Sequence, residues 1–300
     1  MRILVVGANG LVGSRLVAEL LARAHRVTGM GRGATRLSPK VPFVSADLSE
    51  AERVTMAVEV TKPEVVINCA AMTDVDGCER EPARAWTANV EGVATLAKAS
   101  RIAGAHFVHV STDYVFDGDA GPYDVDAIPN PRGVYALSKH AGEQAVRALC
   151  EKGRWAIART AVVYGWPAAG QKNFGSWLLD TLAKGQPVKL FEDQWVSPSL
   201  ALNVAEMLAD LAEKSLPGIW HTSGADVVDR VTYGKKLCER FGFDAGLIQP
   251  SRMADVKLLS PRPAKSGLIV TRTAEALAHK PLSLEASLER FHDEYRKANA

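Results

Sequence analysis

Hydrophobic and polar positions along the first half of the chain switch repeatedly between strand-like runs and helical spacing. An apolar run covers Arg2 to Val6, and after a glycine-rich turn Leu16, Leu20 and Leu21 recur at the spacing of a helix. A second strand follows at His25 to Met30, a third ends in Val44-Ser45-Ala46-Asp47-Leu48, and a fourth covers Val65 to Cys69. A helix from about Ala83 to Ala103 leads into a strand at His106 to Val110. Ala156 to Arg159 is the next strand, and Val162 to Gly165 is expected to close the sheet. Apolar strands alternating with helices predict an α/β fold with a doubly wound parallel sheet.

From Trp166 the pattern changes to loops and isolated helices, broken by Pro167, Pro187, Pro198, Pro217, Pro250, Pro261, Pro263 and Pro281. Residues 1–165 are expected to form one unit and residues 166–300 a smaller, mixed C-terminal lobe. Within the latter, a helix from about Ala201 to Glu213 and a strand from Gly218 to Thr222 look regular enough for segment 200–223 to return to the main sheet.

Composition narrows the class. With 300 residues, 47% of them hydrophobic and 23% charged, the chain is an ordinary globular one, not a disordered or fibrous one. A net charge of +2 with no basic run argues against nucleic acid or a membrane surface as partner. No apolar stretch approaches the roughly 18 residues of a membrane span, so a cytoplasmic protein acting on a small molecule is expected. The four cysteines, Cys69, Cys78, Cys150 and Cys238, show no Cys-x-x-Cys spacing and read as small buried hydrophobes, without a zinc site or disulfide framework. His106 and His109 read as partly buried strand-end residues.

The turn Gly7-Ala8-Asn9-Gly10-Leu11-Val12-Gly13 sits between a strand and a helix. In that position the first glycine permits the tight turn, the second lets the backbone approach a pyrophosphate and the third lets helix pack on strand, as in a Rossmann dinucleotide site. The helix N-terminus offers N–H groups and a positive dipole end to the phosphates. Where many NAD enzymes carry an acid after the second strand, this chain has Gly31-Arg32-Gly33. A guanidinium matches phosphate geometry, so Arg32 leans the cofactor toward NADP, with NAD as the alternative. Asp47, with Leu48 beside it, is placed at an adenine edge or caps the following helix.

Tyr135 and Lys139, in Val-Tyr-Ala-Leu-Ser-Lys-His, share one face of a helix and follow Ser111-Thr112-Asp113-Tyr114. An ammonium near a phenol favours the phenolate and lowers its pKa, which suits a tyrosine that hands a proton to a carbonyl oxygen.

Taken in order, the glycine turn, Ser-Thr-Asp-Tyr and Tyr-x-x-x-Lys resemble the extended short-chain dehydrogenase/reductase superfamily. Asn68 to Asp76, Ala88 to Gly92, Ser111 to Gly118, Gly142-Glu143-Gln144 and Asp193-Gln194 with Ser197-Pro198 look like the dTDP-4-dehydrorhamnose reductases. That resemblance implies hydride transfer from NADPH or NADH to C4 of a dTDP-linked 4-keto-6-deoxyhexose. It assigns Tyr135 as proton donor, Lys139 as the cation that tunes it and holds the nicotinamide ribose, and Thr112 as hydrogen-bond donor to the substrate oxygen. Gly7, Gly10 and Gly13 would hold the pyrophosphate, Asn9, Leu11, Val12 and Cys69 would also bind the cofactor, and Ala70 and Ala71 would border it. Thr73, Val75, Asp76, Tyr114, Gln194 and Arg262 would meet the substrate.

The departures lie in the substrate half. The family's tryptophan after Arg159-Thr160 is replaced by Ala161 and Val162, and its Arg-Pro-x-Asn-Ser-x-Leu-Asp segment reads Arg262-Pro263-Ala264-Lys265-Ser266-Gly267-Leu268-Ile269. Trp166, Trp177 and Trp195 are candidates for a substitute platform, and Gln194 and Ser199 are polar loop residues within reach of a base or sugar. Some relatives bind Mg²⁺ at a dimer interface, but no such acidic cluster is recognisable here. A homodimer is compatible with the chain. Two other readings share the resemblance: an NADP-binding regulatory subunit similar to the β subunit of methionine adenosyltransferase, and a nucleotide-sugar epimerase or dehydratase. The dehydratases generally carry a carboxylate pair after the catalytic threonine, where this chain has Asp113-Tyr114.

Overall fold

In a computed structural model that describes residues 1–166 and 172–299, the first half follows the expected alternation. Strands β1 (Arg2–Val6), β2 (Arg26–Gly31), β3 (Phe43–Ser45), β4 (Val65–Asn68), β5 (His106–Thr112) and β6 (Trp155–Thr160) are joined by helices α1 (Leu11–Ala22), α2 (Ala51–Thr61), α3 (Val75–Arg80), α4 (Pro82–Trp86), α5 (Gly92–Ile102) and α6 (Val134–Leu149). All pair in parallel, in the order β6-β5-β4-β1-β2-β3. Val65 to Asn68 are buried along their whole length, as a central parallel strand covered on both faces must be.

The expected helix over 83–103 is not uniform. Between α4 and α5 the backbone widens into a π-helical stretch, Thr87–Glu91, which sets Asn89 inward. Its amide donates to Met72 O at 3.1 Å and Ser138 Oγ at 3.0 Å and accepts from Met72 N at 2.9 Å. One buried amide thus joins the loop after β4 to the helix of Tyr135 and Lys139. π-bulges of this kind occur often at functional sites.

Beyond β6 the chain forms β7 (Val163–Tyr164), α7 (Phe174–Leu182), β8 (Val188–Phe191), β9 (Trp195–Val196), β10 (Ser199–Leu200), α8 (Ala201–Glu213), β11 (Gly218–His221), β12 (Val228–Asp229), α9 (Arg230–Phe241), β13 (Ile248–Ser251), α10 (Thr271–Ala276) and α11 (Leu284–Asn299). The expectation that Val162 to Gly165 close the main sheet is corrected: β7 pairs with β10 in a separate two-stranded sheet. The strand that completes the main sheet is β11, parallel to β6. The chain turns out of the sheet at Val162, whose φ of 41° lies in the left-handed region. Pro167 lies outside the described residues.

Two apolar layers cover the sheet. On one face α1 packs on α8, with Leu16, Leu20, Val204 and Leu208 wholly buried; on the other, Val54, Val58, Val93 and Leu96 of α2 and α5 are buried. A separate core of Tyr164, Leu179, Leu190, Tyr233, Leu237 and Phe291 holds the smaller C-terminal lobe together. The fold is thus a doubly wound Rossmann-type sheet with a mixed C-terminal lobe. Among the described residues, no helix is long and apolar enough to cross a membrane.

Candidate active site

The C-terminal ends of the parallel strands, where such sheets bind ligands, carry the glycine turn after β1, Arg32 after β2, Cys69 to Ala71 after β4 and Thr112 at the end of β5. Leaving β1, Gly7 adopts a φ of 80°, and a Cβ there would lie 2.7 Å from Ala70 N. A Cβ on Gly13 would lie 2.2 Å from Gly7 O, so only glycine lets α1 start this close to the strand. Gly10, the N-cap of α1, brings no side chain to the helix end, which leaves the turn around Leu11 and Val12 open to a phosphate. The backbone therefore fits a dinucleotide pyrophosphate. Cys69, Ala70 and Ala71 follow β4 beside Gly7, half-buried.

Asn9 shapes the neighbouring loop: Nδ2 donates to Arg32 O and Ala34 O at 3.2 and 3.0 Å, and Oδ1 accepts from Arg36 N at 2.9 Å. Arg32, 72% exposed, stands 3.7 Å from the Asp47 carboxylate. Asp47 does not cap the following helix; its Oδ1 accepts from Ser49 N and Oγ at 2.9 and 2.8 Å. Burial would raise this carboxyl, but the Ser49 hydrogen bonds and Arg32 together hold it below its ordinary value. Leu48 is buried against α5, where Gly92 leaves room for it.

At the end of β5, Thr112 Oγ1 accepts from Tyr114 N at 3.2 Å and donates to Asp113 Oδ1 at 3.1 Å, and it hydrogen-bonds the Tyr135 phenol. Tyr135 opens α6 behind Gly133, whose φ is 84°. Gly133 supplies no cap; Glu79 does, its Oε1 accepting from Val134 N at 2.8 Å. Tyr114 meets Tyr135 edge-on, with ring centroids 5.4 Å apart, and Val75 packs against the same cluster.

Lys139 differs from expectation. Its Nζ is not directed at the Tyr135 phenol but donates to Val110 O at 2.7 Å and lies 3.4 Å from His109 Nε2. The phenol, expected to be lowered, is instead pushed up by burial, against the opposing hydrogen bond of Thr112. Burial likewise raises Asp113 to about 6 despite its hydrogen bonds. His106 and His109, expected to be partly buried, are both buried, and His109 lies directly beneath the site. Of the cysteines, Cys78 and Cys238 are buried as expected, while Cys69 and Cys150 are half-buried.

The model of the RmlD substrate binding domain matches residues 1–297. The chain belongs to this family. It is 37% identical over 299 residues to a probable low-salt glycan biosynthesis reductase, Agl14, of Haloferax volcanii, covering 97% of this chain and 98% of that protein. It is 36% identical over 273 residues to the dTDP-4-dehydrorhamnose reductase of Mycobacterium tuberculosis, covering 89% and 84%. The crystal structure of dTDP-4-dehydrorhamnose reductase from Bacillus anthracis in complex with NADP superposes with a TM-score of 0.87 at 28% identity, covering 98% and 99%.

Within this RmlD-family fold, the candidate substrate residues are partly tied to one another. Arg262 Nη2 pairs with Asp76 Oδ1 at 2.9 Å, and Ser260 N donates to the same oxygen at 3.2 Å. Burial would raise Asp76, but Arg262 and Ser260 hold its carboxyl below the usual range. Thr73 is exposed at the rim. Gln194, read as a polar loop residue, is buried, as is Ser199. Gln194 Oε1 accepts from Arg230 Nε at 3.1 Å.

Arg230 was not legible in the sequence. It begins α9 after the Asp229 cap, lies over the Phe174 ring at 4.6 Å, and is electrostatically coupled to Tyr114, Asp113 and Arg262. Only the helix start at Asp229 signals it; its approach to Tyr114 depends on how the lobe docks. The tryptophan candidates divide: Trp166 packs on Tyr295 at 5.0 Å, whereas Trp177 and Trp195 are 40% and 43% exposed. Among the described residues, no group of three or more His, Cys, Asp or Glu forms a metal site.

Proposed function

We propose that this protein is a cytoplasmic, NADPH-dependent reductase of a nucleotide-linked 4-keto-6-deoxy sugar, dTDP-4-dehydrorhamnose or a close relative. The observation that carries this reading is the grouping of Thr112, Tyr135 and Lys139 at the end of β5, beside a glycine turn that a side chain would block.

NADPH, when bound, supplies the hydride to the carbonyl carbon. Tyr135 gives its phenolic proton to the oxygen, where negative charge develops, and Thr112 donates a hydrogen bond to that oxygen. Held against Val110 O, Lys139 keeps a positive charge near the reacting groups. Burial keeps Tyr135 in the protonated form from which a proton donor must start, while opposing the lowered pKa that would make it a stronger acid.

Gly7, Gly10, Gly13, Leu11 and Val12 hold the cofactor pyrophosphate, Cys69, Ala70 and Ala71 border it, and Arg32 takes the 2′-phosphate. Arg230 and Arg262 bring two guanidiniums toward a diphosphate on the substrate, beside Tyr114 and Gln194. In this reading residues 166–300, apart from the returning segment 200–223, serve as the substrate lobe. Val162, Lys265 and Ile269, which depart from the family pattern, set which ketone fits.

The test is NADPH oxidation with dTDP-4-dehydrorhamnose, repeated with Tyr135→Phe. Stoichiometric cofactor consumption, slowed by roughly 10²–10⁴-fold in the variant, is expected. Equal inertness of both proteins with NADPH still bound would favour a regulatory binding subunit. Turnover of sugar without net cofactor consumption would favour an epimerase or dehydratase.

A further inference from the structure

β4 and β5 run in register with Asn68 opposite His109, and both side chains are wholly buried. Their hydrogen bonds determine which atoms carry protons. Asn68 Oδ1 lies 3.0 Å from the Ala70 backbone nitrogen. A backbone N–H only donates, so this atom is the carbonyl oxygen, and the amide nitrogen Nδ2 faces His109 Nδ1 at 3.2 Å. An amide nitrogen also only donates, so Nδ1 accepts. A neutral imidazole whose Nδ1 accepts carries its proton on Nε2. That Nε2 lies 3.4 Å from Lys139 Nζ. Against an ammonium the Nε2–H opposes donor to donor, whereas against a neutral amine it donates to the lone pair.

We infer that Asn68 and His109 are positioning residues for Lys139: the Asn68 amide locks His109 in its Nε2–H tautomer, and that N–H favours the neutral amine and eases loss of the lysine proton. The consequence for catalysis rests on the reductase reading above, in which Lys139 is the cation beside Tyr135. The pair then sets the pH at which the site loses that cation.

The other groups around Lys139 are accounted for. On α6, Glu143 favours the ammonium but is engaged by Arg159 of β6 at 2.7 Å and lies 3.8 Å from His140. After β4, the Cys69 thiol is pushed up to about 12 by burial and is neutral. Tyr135 is held protonated by burial, and Asp113 faces it rather than Lys139. Burial and Lys139 keep His109 well below its ordinary value, hence neutral. Burial brings Lys139 down to about 8, within reach of titration.

Two variants test the inference. Asn68→Asp keeps an acceptor for Ala70 N–H but sets a second acceptor against His109 Nδ1, which draws the proton there and leaves an Nε2 lone pair facing Lys139. Asn68→Leu removes the donor without adding charge. In ¹⁵N-histidine-labelled protein, His109, assigned by its loss in His109→Phe, should show the Nε2–H tautomer, switching to Nδ1–H in Asn68→Asp. In ¹³C-lysine-labelled protein, Lys139, assigned by Lys139→Arg, should bind its proton about tenfold more tightly or better in both Asn68 variants, a shift of about one pH unit upward. With dTDP-4-dehydrorhamnose and NADPH, the basic limb of kcat/KM should move the same way. An Nδ1–H tautomer in the wild type, or an unmoved Lys139 titration in the folded variants, overturns the inference. Absence of turnover alongside the expected NMR shifts would instead refute the reductase reading and leave the tautomer lock standing.

Discussion

Arg159 and Glu143 meet side-on in the protein interior. The guanidinium Nε and Nη2 donate to the two carboxylate oxygens at 2.9 and 2.7 Å, and both residues are only 1% exposed. Glu143 lies one helical turn beyond Lys139 on α6, and Arg159 lies on β6, so the pair fastens the helix of the candidate acid to the sheet.

Removing one partner strands a buried charge. Glu143→Leu should cost roughly 3–5 kcal/mol in denaturant unfolding. Burial alone would raise the Glu143 carboxyl, but the Arg159 hydrogen bonds hold it at about 2. Because the folded value is depressed, its contribution is fully present above the unfolded carboxyl pKa near ~4.3 and fades as pH falls toward the folded value. Unfolding free energy should therefore drop across that acidic window in the wild type and drop less in Glu143→Gln.

Gly13→Ala should disable the cofactor turn, because its Cβ would lie 2.2 Å from Gly7 O and neither backbone segment can retreat. A loss of about 1–3 kcal/mol from overpacking should accompany at least a tenfold weaker NADPH affinity by fluorescence titration. Unchanged affinity would show that the pyrophosphate binds elsewhere.

Arg32 is exposed and held only loosely by Asp47 at 3.7 Å, so it is available to a 2′-phosphate. Arg32→Ala should lower the ratio of kcat/KM for NADPH over NADH by roughly tenfold, about 1.4 kcal/mol, with the loss shrinking at high salt. A wild type that uses NADH equally well would sink this assignment.

Val162 occupies the left-handed region at a φ of 41°, where a β-branched side chain is strained by about 1–2 kcal/mol. Asn tolerates that conformation, so Val162→Asn should gain about 1 kcal/mol and raise the thermal midpoint by about 2 °C. If the midpoint falls, packing of the valine outweighs its strain.

Legibility in the sequence followed the range of the forces involved. The parallel strands showed because a strand covered on both faces must be apolar throughout, as Val65 to Ile67 are. The glycine turn showed because contacts within a few residues of one another dictate it. Val163-Tyr164 looked like another sheet strand because two residues carry no period, and only the turn at Val162 takes them elsewhere. In the candidate site, helical spacing put Tyr135 and Lys139 on one face but could not say that Val110 O, on another strand, would claim the ammonium. Arg230 stayed hidden for the same reason: its neighbours Gln194 and Phe174 are 36 and 56 positions away along the chain.

The return of α8 and β11 to the main sheet bears on how the chain can be divided. The helix that seals one face against α1, and the strand that covers the free side of β6, are both made after the chain has left the first six strands and passed through β7 to β10 outside the main sheet. A fragment ending near residue 165 would expose the apolar surface beneath α8 and an unpaired β6 edge, and would be prone to aggregate. Swapping the C-terminal lobe between relatives would therefore require leaving residues 201–221 with the sheet they complete.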